Sequence, residues 1–189
     1  MIIPERTCPA GYGQRGQNRM FATGELVVYG GEGVCRVEKI GPVSVPGADR
    51  TKLYYTLLPL YRAGQVLTPV DTKVLLRPAL TQQEARILVE TMVACEVPAV
   101  PAGSPRVLKE YYQAVLTTYD CAAVARLIRQ LARRCAGAAA RGKKPSQLDE
   151  RYLKRAEDQL YGELGAALGF GRDAVADDIR RICPSWPEE

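Results

Sequence analysis

From residue 24 to 77 apolar and polar positions alternate with a period of two, and glycine and proline mark the turns. Leu26-Val27-Val28-Tyr29 reads as a strand, Gly30-Gly31-Glu32-Gly33 as a tight turn, and Val34 to Ile40 as an alternating strand. A loop containing Pro42, Pro46, Gly47 and Asp49 follows. Leu53 to Leu60, Gln65 to Val70 and the short Val74-Leu75-Leu76 supply three more strands, with Arg62-Ala63-Gly64 as the turn between the first two. Five short strands this close together predict a small, strongly curled antiparallel barrel.

Past Arg77-Pro78 the period changes to 3.6, the repeat of a helix. Thr81-x-x-Glu84 is a capping box that opens a first helix with Ile87, Leu88, Thr91 and Met92 facing inward. Residues 96–103, with Pro98 and Pro101, break it. Ser104 caps a second helix with Pro105 at its first position, where a missing N–H costs nothing. Asp120 caps a third, in which Val124, Leu127, Ile128 and Leu131 form the apolar stripe, Arg126, Arg129 and Arg133 line another face, and Gly137 ends the helix. Ser146 caps a fourth with Tyr152, Leu153, Ala156, Leu160 and Leu164 inward, and a short fifth runs from about Asp173 to Ile182. The expected fold class is α+β: a five-stranded antiparallel barrel followed by an all-α domain of about five helices. Residues 1–19 show no period and are expected to be a dispensable, flexible tail, with Met20 as the functional start. The barrel then occupies 20–78 and the helical domain 79–189.

Composition narrows the chemistry. Of 189 residues, 47% are hydrophobic and 25% charged, which excludes a disordered or fibrous chain. No apolar stretch is long enough to span a membrane and no apolar leader follows the first charges, so a cytoplasmic location is expected. Histidine is absent, which removes the commonest general base and the commonest metal ligand. Cys8, Cys35, Cys95, Cys121, Cys135 and Cys183 include no C-x-x-C pair, so they read as reduced, mostly buried thiols rather than as a metal or redox motif. The acidic neighbours Asp149-Glu150 and Asp177-Asp178 point about 100° apart on a helix and read as solvated charges. Gly142-Lys143-Lys144-Pro145-Ser146 has the letters of a phosphate loop in the wrong order, and Gly11-x-Gly13-x-x-Gly16 has no strand before it and no helix after it. No catalytic residue, metal, cofactor or small-molecule substrate is therefore expected, and a binding module is.

Charge is unevenly spread. Residues 106–155 hold twelve basic side chains against four acidic, a net +8, in a chain of net +5; residues 156–189 hold three against eight, a net −5. Such a basic block fits a polyanion, although arginine-rich solvated helix faces produce the same pattern. Arg106 and Lys109 open the second helix, Arg151 and Lys154 open the fourth, and Lys143 and Lys144 lie in the link before it. These six form the candidate DNA-binding set, suited to phosphates without reading base sequence. The barrel has little charge bias and suits a protein partner, through a strand edge or a loop.

Several segments together resemble one family. Met20-Phe21-Ala22-Thr23-Gly24-Glu25-Leu26-Val27-Val28-Tyr29-Gly30-Gly31-Glu32-Gly33-Val34, then Tyr54-Tyr55 with Leu57-Leu58-Pro59-Leu60, then Val66-Leu67-Thr68-Pro69-Val70-Asp71, resemble the CarD family of bacterial transcription regulators. Its first module is shared with the polymerase-binding domain of transcription-repair coupling factor. In the helical half Tyr111, Leu116, Asp120, Val124-Ala125, Arg129, Leu131, Arg133-Arg134, Ser146 and Leu153-x-x-Ala156-x-x-x-Leu160-x-x-Glu163-Leu164 are similar too. The resemblance implies a Tudor-like barrel that binds the RNA polymerase β subunit; the arginine that some relatives use there falls at about Leu67 here, with Lys52 and Arg62 as candidate substitutes, and Val66, Leu67 and Thr68, on a strand near the sheet's edge, are the expected contacts. It also implies a helical domain that touches promoter DNA near the upstream edge of the melted region and favours the open complex, hence a nucleoid-associated protein. Family members commonly place a tryptophan wedge at the start of the second helix; here Pro105-Arg106 stands there, and the single tryptophan is Trp186. DNA contact without the wedge would be mainly electrostatic. The alternative is a protein-interaction module that binds polymerase or another protein without touching DNA.

Overall fold

The computed structural model describes residues 20–47, 49–92, 97–171, 174–182 and 186–187. Backbone packing divides them after Ala79 into two units, each with its own core. The first unit holds strands β1 (Leu26–Tyr29), β2 (Gly33–Gly41), β3 (Tyr54–Pro59), β4 (Val66–Pro69) and β5 (Leu76–Pro78). They pair antiparallel in the order β4-β3-β2-β1-β5. Gly31 and Gly33 take φ of 80° and 78° in the hairpin between β1 and β2, a backbone that side chains with a Cβ rarely adopt. The ladder of β2 with β3 shifts register between Val37 and Lys39, and such a bulge deepens the twist. The sheet is rolled up: Tyr29 of β1 donates its hydroxyl to Thr68 Oγ1 of β4 at 3.3 Å, although β2 and β3 separate those strands in the ladder order. Val27, Cys35, Val37, Tyr55 and Leu57 fill the interior. The fifth strand starts two residues later than the sequence pattern places it, because Tyr29 of β1 pairs with Leu76, and Val74 is left exposed.

The second unit holds α1 (Gln82–Thr91), α2 (Pro105–Thr118), α3 (Cys121–Ala140), α4 (Gln147–Leu168) and α5 (Val175–Ile182). The chain is thus α+β, a curled five-stranded antiparallel sheet followed, among the described residues, by five helices. Thr81 and Glu84 make the expected capping box, and Asp120 accepts from the amides of Ala122 and Ala123 at 2.9 and 3.4 Å. Ser104 stands at the N-cap of α2 without a side-chain capping bond.

Four helical expectations are corrected. The buried stripe of α1 is Ala85, Leu88, Val89 and Met92, and Ile87 is exposed, so the inward face is rotated from the expected one. Arg129 is not on a solvent face: it is 3% exposed and donates Nη1 to the carbonyl of Met92, the C-cap of α1, at 3.3 Å. Carbonyls at a helix end have no partner in their own helix, and a buried guanidinium supplies one. Gly137 lies inside α3 and does not end it. The stop is at Gly142, with φ 68°, where the Gly142 and Lys143 amides close back on the Ala139 and Ala138 carbonyls at 2.8 and 3.0 Å. Asp149 is 3% exposed and is no solvated charge.

Trp186 is 2% exposed in the helical core and donates Nε1 to the Tyr161 hydroxyl at 2.9 Å. Glu163, buried in the same unit, accepts from the Leu80 amide at 3.0 Å and from Cys121 Sγ at 3.1 Å. Residues 1–19, with their glycine motif, and Cys8, Cys95 and Cys183 lie outside the described residues.

Candidate functional site

In the first unit the candidate surface is built on β4. Among the described residues this strand has a ladder neighbour on one side only, β3, which makes it an edge. Side chains alternate across a strand, so Val66 and Thr68 share one face. Val66 packs against the barrel core and Thr68, 2% exposed, receives the Tyr29 hydrogen bond. Leu67, paired with Thr56, is on the opposite face and is partly buried. Of the three expected contact residues on β4, the structure therefore turns two side chains inward and leaves Leu67 on the other face, partly buried.

The two expected cations of the barrel are held by ion pairs. Lys52 Nζ lies 2.6 Å from Asp71 Oδ2, and Arg62 Nη2 lies 2.5 Å from Glu32 Oε2 and 3.2 Å from the Gly31 carbonyl oxygen. The hydrogen bond between Lys52 and Asp71 raises the ammonium's pKa and lowers the carboxyl's. Both groups stand in water, where such a pair rearranges readily for a partner. Beneath this surface burial pushes the Cys35 thiol up to about 11, helped by the Glu32 carboxylate.

In the second unit the basic residues do not form one face. Arg106 is exposed and bonded to Glu110 one turn on, at 3.0 Å. Lys109 is exposed on the same helix. Arg151 and Lys154 are exposed on α4, where Arg151 and Arg155 lie 5.4 and 5.3 Å from the centre of the Tyr152 ring. Lys143 and Lys144 are elsewhere: they line a cavity of about 660 Å³ between the end of α3, the start of α4 and residues 97–100. Arg133, Arg134 and Arg141 line it with them.

The sequence reading left those three arginines out of the candidate set. By ending α3 at Gly137 it put Arg141 in a link, whereas the continued helix places Arg133, Gly137 and Arg141 at four-residue steps on one face. The small residues between bulky cations were the available signal. Arg134 is fixed in place, because its Nε donates to Asp149 Oδ2 at 3.0 Å while the Tyr112 hydroxyl donates to Asp149 Oδ1 at 2.7 Å. Burial, and then the Asp149 carboxylate, hold the Tyr112 phenol well above its usual range.

Among the described residues no three acidic or thiol side chains gather as a metal site, and no helix is long and apolar enough to cross a membrane. Compared with known families, residues 21–80 match the CarD-like/TRCF RID domain. The match covers the curled sheet and ends where the helical unit begins. No curated protein matches the chain.

Proposed function

Residues 21–80 belong to the CarD-like/TRCF RID family, and from that premise we propose that the chain is a bacterial transcription regulator that docks on the β subunit of RNA polymerase. The observation that carries this reading is the edge strand β4 within the matched domain, with a partly buried Leu67 on the face opposite Val66 and Thr68. An edge strand offers main-chain donors and acceptors to a partner strand, and a partly exposed apolar side chain adds a contact that water does not compete for. Lys52 and Arg62 flank the same module, and their exposed ion pairs can exchange partners on docking. The chain acts as a binding module and not as an enzyme.

We further propose that the helical unit touches promoter DNA through Arg106, Lys109, Lys143, Lys144, Arg151 and Lys154 and so favours the open complex. The support is the net +8 of residues 106–155 and the exposure of all six side chains. With Trp186 in the core, no tryptophan is available as a wedge, and the contact is to phosphates. The alternative without DNA draws on the bond between Arg106 and Glu110, which already neutralises one of the six.

Two experiments test these readings. In a pull-down with polymerase, Leu67→Asp abolishes capture while circular dichroism stays unchanged; undiminished capture refutes docking at β4. For DNA, neutralising Lys109 or Lys154 lowers the slope of log K against log salt by about one for any sequence. Unaltered slopes favour the reading without DNA.

A further inference from the structure

We propose that the cavity between α3 and α4 binds a compact ligand carrying a chain of linked phosphates, a nucleoside di- or triphosphate or a short inorganic polyphosphate. This goes beyond the transcriptional reading and does not rest on it.

Size, charge and rigidity point to such a ligand. At about 660 Å³ the cavity falls within the range of small-molecule pockets. Five cations line it, Arg133, Arg134, Arg141, Lys143 and Lys144, against one carboxylate, Asp149. That carboxylate is bonded on both oxygens, by Tyr112 and Arg134, so it offsets one of the five charges and leaves the lining net positive by four. Cations gathered in a recess with low-dielectric walls focus their potential inward. Arg134 is also pre-organised: its Nε is committed to a buried partner while the side chain stays 39% exposed. A fixed guanidinium loses little freedom on gripping an anion. Ser146, the N-cap of α4, sits on the wall, so the positive end of a 22-residue helix borders the same space.

The remaining walls define the rest of the ligand. Val97, Pro98, Ala99 and Val100 form an apolar side. Gln130 lines the cavity, but its amide is engaged, accepting from the Tyr111 hydroxyl at 3.1 Å and donating to the Pro98 carbonyl at 2.8 Å. Among the described residues the side chains on that side offer no polar group beyond this engaged amide, so phosphates decide affinity and an organic remainder lies against the apolar wall. The floor is Gly137 and Ala138. A Cβ at Gly137 would come 3.4 Å from Arg141 Nη1, so the bare helix surface lets that guanidinium lie back across the floor.

A nucleic acid duplex fits this feature poorly. Its phosphates lie on a convex rod and need cations spread along an outer surface, and not gathered around a recess.

The test is calorimetric titration of the full chain with ATP, tripolyphosphate and orthophosphate. ATP and tripolyphosphate bind saturably, and orthophosphate binds at least about tenfold more weakly because it meets fewer of the cations. Tighter binding of ATP than of tripolyphosphate assigns a nucleotide, and parity assigns the bare phosphate chain; both uphold the site. Arg133→Ala and Arg141→Ala each weaken tripolyphosphate about tenfold. Ala138→Leu blocks binding by filling the floor with no change of charge, and Lys39→Ala, an equal loss of charge on the barrel, has no effect. Arg133 is exposed, so Arg133→Ala keeps the fold and decides the matter should Ala138→Leu unfold. The proposal is overturned if neither phosphate chain binds, or if binding survives Arg133→Ala and Arg141→Ala. It is equally overturned if these variants lose only duplex affinity, which would give the cavity to nucleic acid.

Discussion

Single side chains in this protein take their chemistry from burial. The Cys35 thiol, pushed up to about 11, and the Cys121 thiol, 3% exposed and bonded to Glu163, are not nucleophiles in the folded chain, because the thiolate is the reactive form and both are out of reach. At pH 8 iodoacetamide is expected to label them only as fast as the protein unfolds, and peptide mapping by mass spectrometry reads the rate. Prompt native labelling of Cys35 would refute its burial. Asp149 is costly to remove: Asp149→Ala strands the Tyr112 hydroxyl and frees Arg134, and is expected to cost about 2–3 kcal/mol, against about 1 for Tyr112→Phe. Urea melts of the two variants give the comparison. Glu157 works in the opposite sense. Burial, then the Asp158 carboxylate, holds its carboxyl above the usual range, with Arg180 opposing. A carboxyl with a raised folded pKa favours the folded state at low pH and loses that contribution as pH rises through the folded value. Glu157→Gln is therefore expected to raise Tm at pH 7 and to leave it unchanged below the ordinary carboxylate range.

The elements were legible in the sequence wherever the signal is local. Caps depend on one side chain and the next few amides, so Thr81, Asp120 and Ser146 mark their helices correctly. Asp120→Ala is expected to cost about 1 kcal/mol of stability for the two amides it leaves unbonded, read in the same urea melts. What the sequence hid depends on packing partners. Arg129 turns inward because the end of α1 needs a donor, and Asp149 because Tyr112 and Arg134 await it, and neither neighbour is close in sequence. The start of β5 is set by its register with β1, and the end of α3 by Gly142 instead of the earlier Gly137. The candidate surface on the barrel was partly legible: the edge strand was expected, but curling decides that Thr68 faces in and Leu67 the other way. The cavity was not, since it exists only once α3 runs on to Ala140. Inside that helix a glycine without positive φ is a weak point, and Gly137→Ala is expected to add roughly 0.5–1 kcal/mol, with the flexible end of Arg141 yielding to the new methyl.

At the scale of the whole chain the two units have unequal interiors. The barrel closes over a handful of buried side chains, whereas the helical unit buries Leu80, Leu127, Leu131, Leu160, Leu164 and many others. Since small domains bury a smaller share of their surface, the barrel is the more marginal of the two. The helical core begins at Leu80, 6% exposed with its amide bonded to Glu163, so a fragment 79–189 is expected to keep its helical circular dichroism. A fragment that starts beyond Leu80 loses both contributions and is expected to melt lower. The chain's one tryptophan, shut into the helical core against Tyr161, has a spectroscopic corollary. Its fluorescence is blind to the barrel. An indole held among apolar side chains emits to the blue and shifts red when water reaches it, so emission records the opening of the helical unit alone. A far-ultraviolet signal that begins to fall while the emission maximum stands still would therefore time the barrel's unfolding separately, with no label added to the protein.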